Sequence, residues 1–493
     1  MSRVSHFFRH PRFLFLLLIV FSVPCALAET VVKQLHVITR HGSRYPLEKE
    51  ASNLQENTPG SLTPFGQRQM FDLGKWLKDE YNATGFFNIY VPWEVRLESS
   101  AFDRTLVSAD SLALGAFDYL ARDPHQESLL QQLPANIPVY STDVENDVYL
   151  RAYDKCPTFH DRLMALYNSR EWLDLEQEHD ALLRRLASLE SFQQDADESD
   201  KIPLVNLWNV YDAIHVAKTE CTASGDGFTP TCYSLPNPFD RDALTDAEFQ
   251  ELEILAALVE QMRYGPDLAG RLLGGPLLMR IIDRMLRHTS GNFFLYSAHY
   301  PTILGVLAAL GERLPTAKTI PDYASALIFV LQEDTITGLQ HIQVVYKADS
   351  QLLTPPTVLT LDFCVNEATC PAATFFGRWK DWTLYEWCRE CDNRNARVCL
   401  DYLVEEYEND SMGLDKPLQT GLLIGFGVSF LVAILTCVLC FSPKVKWESG
   451  TKTQQEHAPT PPEQRSNDGD GDDSFSSVEM ADSNETKKEP VMA

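Results

Sequence analysis

The sequence predicts an α/β fold, a largely parallel sheet flanked by helices, with an inserted helical cap and one transmembrane helix. Three observations carry this reading. Short apolar runs alternate with segments of helical period, a Leu-, Glu- and Arg-rich stretch from Leu163 to Leu189 interrupts that alternation, and an uncharged apolar run fills positions 420–441.

The ends of the chain define its address. Residues 1–28 begin with Arg3, Arg9 and Arg12, pass into "FLFLLLIVFSVPCALA" and close on Ala26-Leu27-Ala28, the pattern of a secretory signal peptide cut before Glu29. A membrane span is the competing reading, and the compact apolar core with its cleavage pattern disfavours it. Near the other end, "TGLLIGFGVSFLVAILTCVLCF" lies within a transmembrane helix expected over 413–442, long enough for a hydrocarbon core of about 30 Å. Lys444 and Lys446 then place the tail in the cytosol, so the chain reads as a single-pass type I membrane protein with ectodomain 29–412 luminal or extracellular. The tail, 443–493, carries "APTPPEQ" and "DGDGDDSFSS" and is expected to be disordered. It has no tyrosine or leucine pair from which a sorting signal can be read.

Of the 11 cysteines, Cys25 leaves with the signal, and Cys437 and Cys440 belong to the span, where palmitoylation is the less favoured alternative. Cys156, Cys221, Cys232, Cys364, Cys370, Cys388, Cys391 and Cys399 remain in the ectodomain. Their even number in an oxidising compartment points to disulfides. Cys388-x-x-Cys391 with Cys399 has no nearby histidine, which disfavours a zinc site, and no metal or cofactor is expected. Local pairing of Cys221 with Cys232 and of Cys364 with Cys370 fits their spacing. Asn82-Ala83-Thr84 and Asn409-Asp410-Ser411 are usable glycosylation sequons on the luminal side, while Asn484 falls on the cytosolic side. A net charge of −27 argues against nucleic acid and anionic membrane surfaces as partners, and suits a protein that works at acid pH.

Within the ectodomain, "VVKQLHVIT" reads as a buried strand and "LTPFGQRQMFDLGKWLKDEY" as the helix after it. Thr63 is the expected N-cap, Pro64 the first helical residue, and Met70, Leu73 and Leu77 share one face. "VPWEVRLESS" is a second strand, with a helix from about Asp103-Arg104-Thr105. The cap is placed at roughly 112–245. Thr245-x-x-Glu248 is a capping box opening a helix whose apolar face carries Phe249, Leu252, Leu255 and Val259. Gly274-Gly275-Pro276 turns into a helix through Met285, followed by the strand "FFLYSAH" and a helix from about Pro301. In such sheets ligands collect at the carboxyl ends of the strands, where both histidine-bearing segments fall.

"VITRHGSRYP", residues 37–46, packs Arg40, His41, Gly42 and Arg44 together. Arg forks match phosphate oxygens, a neutral imidazole held at one nitrogen can attack phosphorus with the other, and glycine permits close backbone approach to a ligand. Alone, such a cluster is more often a solvated basic loop.

The string "RHGSRYP" fits Arg-His-Gly-x-Arg-x-Pro and resembles the signature of the histidine acid phosphatase family. The likeness continues through "LTPFGQRQMFDLGKWL", "FDRTL", "CPTF", "LWNVYDAIH", "YSAH", "PDYASALIF" and "TCPAATF", in the family's order from about residue 33 to 376. The phosphoglycerate-mutase branch shares Arg-His-Gly but lacks the second Arg-x-Pro. The layout is similar to membrane-bound members of the endosomal or lysosomal system. The resemblance implies an α/β domain with a helical cap, hydrolysis of phosphate monoesters through a phosphohistidine, His41 as nucleophile, Arg40 and Arg44 on phosphate, and His299 as a further phosphate ligand. It also implies that Cys156 reaches a cysteine of the 388–399 group, and it allows a homodimer.

Two positions depart from the pattern. The aspartic acid expected after the second histidine is Tyr300, whose reference pKa of about 10 suits proton donation poorly; losing a general acid costs on the order of 10² to 10⁴ in rate. The third phosphate-binding arginine falls on Glu98, where a carboxylate would repel phosphate. Arg96, two residues earlier on the same strand face, is the expected substitute, and Arg104 is either a ligand or a helix-start residue. Glu98, Asp103 and Tyr300 are the candidate proton donors. Two functions follow: an acid phosphatase of reduced activity, or a phosphatase-like membrane protein that has lost turnover and acts in ligand binding or endosomal trafficking. The cap holds no readable code for the physiological substrate.

Overall fold

The computed structural model describes residues 30–47, 60–88, 90–117, 137–222, 244–287, 292–315, 319–365 and 367–400, all within a compact unit ending at Leu403. The expected signal peptide, membrane span, cytoplasmic tail, Asn409 and the Cys221–Cys232 pairing lie outside the described residues. Among those residues no helix is long and apolar enough to cross a membrane.

Strand β1 (Thr30–Arg40) leads through α1 (Pro64–Glu80) to β2 (Val95–Ser100), then α2 (Asp103–Phe117) and the edge strand β3 (Val139–Thr142). A helical layer follows: α3 (Ala152–Lys155), α4 (Pro157–Tyr167), α5 (Arg170–Glu178), α6 (Asp180–Ala187), α7 (Leu207–Thr222) and α8 (Asp246–Tyr264). The chain returns through α9 (Gly275–Leu286), β4 (Phe293–Ala298), α10 (Tyr300–Leu310), β5 (Ala326–Asp334), β6 (Gln340–Lys347), β7 (Thr357–Leu359), β8 (Cys370–Pro371), α11 (Ala372–Trp379) and α12 (Leu384–Glu390).

The local signals act as their chemistry dictates. Thr63 caps α1, its side chain accepting from the Gly66 amide, with Pro64 in the first turn. Thr245 and Glu248 form both halves of a capping box on α8. The stretch 163–189 is broken into the end of α4, α5 and α6 by caps at Asn168, Ser169 and His179. Asn82 opens a single 3₁₀ turn, Asn82–Thr84, just after α1.

The eight-stranded sheet runs β3-β2-β4-β1-β5-β6-β7, with β8 on β6. It is mixed rather than largely parallel: β3, β2, β4 and β1 are parallel, while every pairing from β1–β5 onward is antiparallel. The reason lies in a hairpin that the sequence reading passed over. Asp334 accepts from the amides of Ile336 and Thr337, and Gly338 takes φ +68°, so β5 turns into β6 within a few residues. A parallel crossover needs a dozen or more residues.

One face of the sheet, with Leu35, Val37, Leu97, Phe293 and Leu295, packs on Met70, Leu73 and Leu77 of α1 and on Leu112 and Ala116 of α2. Helix α2 therefore stays with the core through Phe117. The other face mixes buried apolar side chains, Ile38, Leu327 and Phe329, with polar groups. There His36 lies flat on Phe294 at 4.5 Å, and Tyr296 accepts from Arg284 of α9 at 2.8 Å.

Disulfides join Cys156 to Cys391, Cys364 to Cys370 and Cys388 to Cys399. The first ties the start of α4 to the segment after α12 and closes a loop of 235 residues, where unfolded-state entropy makes a cross-link most effective.

The motif loop rests directly on α1. A β-carbon at Gly42 would meet the Gly66 carbonyl oxygen at 2.2 Å, and one at Gly66 would meet that of Ser43 at 2.0 Å. Gly42 thus serves helix contact, where the sequence alone pointed to ligand approach. Gly66→Ala is expected to destabilise the fold by about 1–3 kcal/mol, read as a lower denaturant midpoint. An unchanged midpoint would mean that the two backbones are not in contact.

Candidate active site

Register brings the two histidines together. Arg40 pairs with Ala298 across the parallel strands β1 and β4, and the His41 amide donates to the Ala298 carbonyl at 3.1 Å. His41 and His299 are each the next residue, so their rings meet edge to face at 5.4 Å where the strands end. Strand β2 adds Ser100, whose hydroxyl lies 3.0 Å from His299 Nε2.

Hydrogen-bond logic assigns both tautomers. His41 Nδ1 lies 2.8 Å from the Gly42 carbonyl oxygen, which can only accept, so Nδ1 carries the proton and Nε2 keeps its lone pair. His299 Nε2 lies 3.3 Å from Arg151 Nη1, which can only donate, so Nε2 accepts and the proton sits on Nδ1. One ring thus presents a nucleophile, the other a donor. Burial, followed by the positive charges of Arg104, Arg40 and Arg44, holds His41 well below the ordinary imidazole value against the opposing Gly42 bond. Burial and then Arg104, His41 and Arg151 do the same to His299. Both rings are thereby biased toward the neutral form.

Four arginines surround them. Arg40 donates to the Pro321 carbonyl at 2.7 Å and lies 3.9 Å over the Tyr323 ring, whose other neighbours include His215 at 5.3 Å. Arg44 makes a two-pronged bond to Asp212 of α7 at 3.0 and 2.9 Å. Arg151, just before α3, pairs with Asp154. Arg104 stands in the first turn of α2, 4.6 Å over Phe102. All four are at least nine-tenths buried, and the Nε of each lacks a hydrogen-bond partner. Buried donors left open on one side are what an anion with several oxygens satisfies.

Helix α7 locks the motif loop from above. Besides Asp212, it supplies Glu220, fully buried, which accepts from the hydroxyls of Ser43 and Thr63. The Ser43 amide also donates to Gln69 Oε1 of α1 at 2.8 Å.

Residues 52–347 match the family described as the histidine phosphatase superfamily, branch 2. The chain belongs to that family. Arg40, His41 and Arg44 lie just ahead of the matched segment, and the strand register sets His41 beside His299, which falls within it. Among curated relatives, human testicular acid phosphatase is 29% identical over 75% of this chain and 84% of its own length. Mouse prostatic acid phosphatase is 27% identical over 73% and 89%, and rat lysosomal acid phosphatase 27% over 72% and 79%. Of solved structures, the Citrobacter braakii phytase superposes with a TM-score of 0.53 at 16% identity, covering 73% of this chain and 99% of that one. The Hafnia alvei phytase bound to myo-inositol hexakis sulphate gives 0.52 at 16%, covering 71% and 96%. These structures share the fold.

Two family positions are arranged differently from the sequence expectation. Arg96 is not brought to the site. It lies four residues upstream of Ser100, about 13 Å along the strand, with its guanidinium 3.3 Å over Tyr140 and its Nε on Glu98. Glu98 poses no threat to phosphate either. Burial would raise its carboxyl, yet Arg280 and Arg284, with bonds from Arg284 and Arg96, hold it below the usual carboxylate range. Held ionised by three arginines, it is also no proton donor.

Tyr300 is the second. Its hydroxyl donates to Glu260 of α8 at 2.5 Å, its ring lies tilted against Trp208 at 4.6 Å, and burial followed by the Glu260 charge raises its pKa well above the ordinary phenol value. The proton is committed to Glu260, which Arg263 also binds at 2.9 Å. Sequence reasoning passed over Arg151, Asp212, Glu220 and Glu260, all in the cap layer. The "LWNVYDAIH" string was the available signal for Asp212. Among the described residues no cluster of His, Cys, Asp or Glu is set to hold a metal ion.

An imidazole kept neutral in the fold and free to protonate in the unfolded chain makes stability fall as the pH drops below about 6.5. His41→Gln should therefore flatten the decline in unfolding free energy between pH 6.5 and 5, by up to about 1.4 kcal/mol per pH unit, in calorimetry of the full-length chain. Equal slopes in the two proteins would mean that His41 is protonated in that window.

Proposed function

We propose that this protein is a membrane-anchored acid phosphatase that hydrolyses phosphate monoesters through a phosphohistidine. The carrying observation is the His41–His299 pair ringed by four arginines with open Nε donors. His41 Nε2 attacks phosphorus; the N–P bond forms as the P–O bond to the leaving alcohol breaks, and that oxygen takes a proton from water or an acid of the medium. Water then attacks the phosphohistidine, releasing inorganic phosphate and restoring His41. His299 Nδ1–H and the guanidinium groups hold the non-bridging oxygens, on which charge is greatest in flight. No metal or cofactor takes part in these steps. The names of the lysosomal relatives, the signal-like leader and the apolar run at 420–441 support an acid luminal setting, with Asn82 and Asn409 as glycosylation sites. A homodimer belongs to the same reading by family analogy.

The reading of impaired turnover keeps one specific support, the engagement of the Tyr300 hydroxyl by Glu260. Tyr300→Asp is not a simple rescue, because it sets a second carboxylate beside buried Glu260.

Two outcomes are expected of the full-length chain near pH 5. His41→Ala abolishes hydrolysis of nitrophenyl phosphate, and retained turnover would remove His41 from the mechanism. Nitrophenolate leaves without protonation, so nitrophenyl phosphate should exceed glycerol phosphate in kcat/KM by about 10²–10⁴. Equal efficiency would show that a proton donor is in place.

A further inference from the structure

We infer that Asp147 is a positioning residue for phosphate binding: it builds the turn that delivers Arg151 to His299, and its charge opposes the anion that Arg151 helps to hold. This rests on the phosphatase reading above.

The turn is a matter of hydrogen bonds. Asp147 Oδ1 accepts from the amides of Tyr149 at 3.3 Å and Leu150 at 2.9 Å, the pattern in which an aspartate side chain shapes the backbone that follows it. Thr302 of α10, the helix that starts directly after His299, donates its hydroxyl to the Leu150 carbonyl at 2.7 Å. Leu150 is thus held at both its amide and its carbonyl. The next residue is Arg151, whose Nη1 lies 3.3 Å from His299 Nε2.

One oxygen suffices for that turn, and an asparagine could supply it. The second oxygen sets this site apart. Asp147 is 2% exposed, and its Oδ2 is buried without a hydrogen-bond partner. A carboxylate left in that state is poorly screened, so its charge acts on the groups around it. Those that face it are Arg151 on its own segment and Arg280 of α9, which lies 3.5 Å over the Tyr149 ring and donates to Glu98 at 2.9 Å. From α10 comes the neutral Thr302 hydroxyl.

Burial outweighs the Leu150 and Tyr149 bonds and both arginines, and raises the carboxyl to about 6. A proton taken up on Oδ2 leaves Oδ1 able to accept the two amides, so the turn survives while the negative charge disappears. Near pH 7 Asp147 is mostly ionised, offsets Arg151 and repels an anion held there. Near pH 5 it is mostly neutral and that opposition is gone. Anion binding therefore strengthens as the medium is acidified, with the phosphate contacts themselves unchanged.

The test uses inorganic phosphate as an inhibitor of nitrophenyl phosphate hydrolysis by the full-length chain between pH 5 and 7. The ionisation of phosphate itself is common to every variant and cancels in their ratios. Asp147→Asn keeps an accepting oxygen and lacks the charge, so it should bind phosphate about three- to tenfold more tightly than the native protein at pH 7, with the gap closing by pH 5. Asp147→Ala loses the turn as well and should bind phosphate about tenfold more weakly than Asp147→Asn at either pH. Asp143→Asn, in the exposed part of the same loop, should follow the native profile. Three results overturn the inference: an Asp147→Asn to native ratio that stays constant across the range, equal affinity in Asp147→Asn and Asp147→Ala, or the same shift in Asp143→Asn. If Asp147→Ala does not fold, the pH profile of Asp147→Asn decides. A native protein that neither binds nor turns over phosphate overturns instead the phosphatase reading on which the inference rests.

Discussion

Everything at the strand ends depends on one register, Arg40 opposite Ala298. Side chains alternate along a strand, so sliding β1 by one residue against β4 would turn Arg40 and its alternate neighbours through the sheet. His41 would then lose both His299 and the Ala298 carbonyl that accepts from its amide. The register is set far from the site by the burial of Leu35, Val37, Phe293 and Leu295 against α1 and α2. A hydrophobic pattern on one face thus determines chemistry at the end of the sheet.

Around this pair the protein manages positive charge by assigning counter-ions selectively. Asp212 and Asp154 orient Arg44 and Arg151 and offset part of their charge, while Arg280 and Arg284 do the converse for Glu98. The cap helices therefore do more than cover the pocket. Through Asp212 and Glu220, α7 holds the motif loop from one side as α1 holds it from the other. The same layer explains why Tyr300 is a poor substitute for an acid, since Glu260 comes from α8 and engages the hydroxyl from behind.

Much of the fold and half of the candidate site were legible in the sequence, for local reasons. Thr63, Pro64, the Thr245–Glu248 box and the strand-terminal histidines announce themselves within a few residues. The antiparallel half of the sheet was missed because Asp334 and Gly338 form a turn whose signal is weaker than the apolar runs it joins. Arg151, Asp212 and Glu260 were missed because their partners lie distant in the chain: His299 is 148 residues from Arg151, and Arg44 is 168 from Asp212. Strand parity correctly put Arg96 on the face of Glu98 and Ser100, but parity says nothing of distance along the strand.

The bond between Cys156 and Cys391 has a consequence for the order in which the molecule is made. Arg151 sits five residues before Cys156, and Asn393, two residues after Cys391, donates to the Lys155 carbonyl. A ribosome delivers the histidine motif first and the anchor for the Arg151 segment last. The nascent chain thus carries His41 long before its cation shell can be fastened, and acquires the finished arrangement only once Cys391 has been oxidised. Oxidation and assembly of the site are in this way a single event, and a reduced copy lacks the cross-link that fastens the shell.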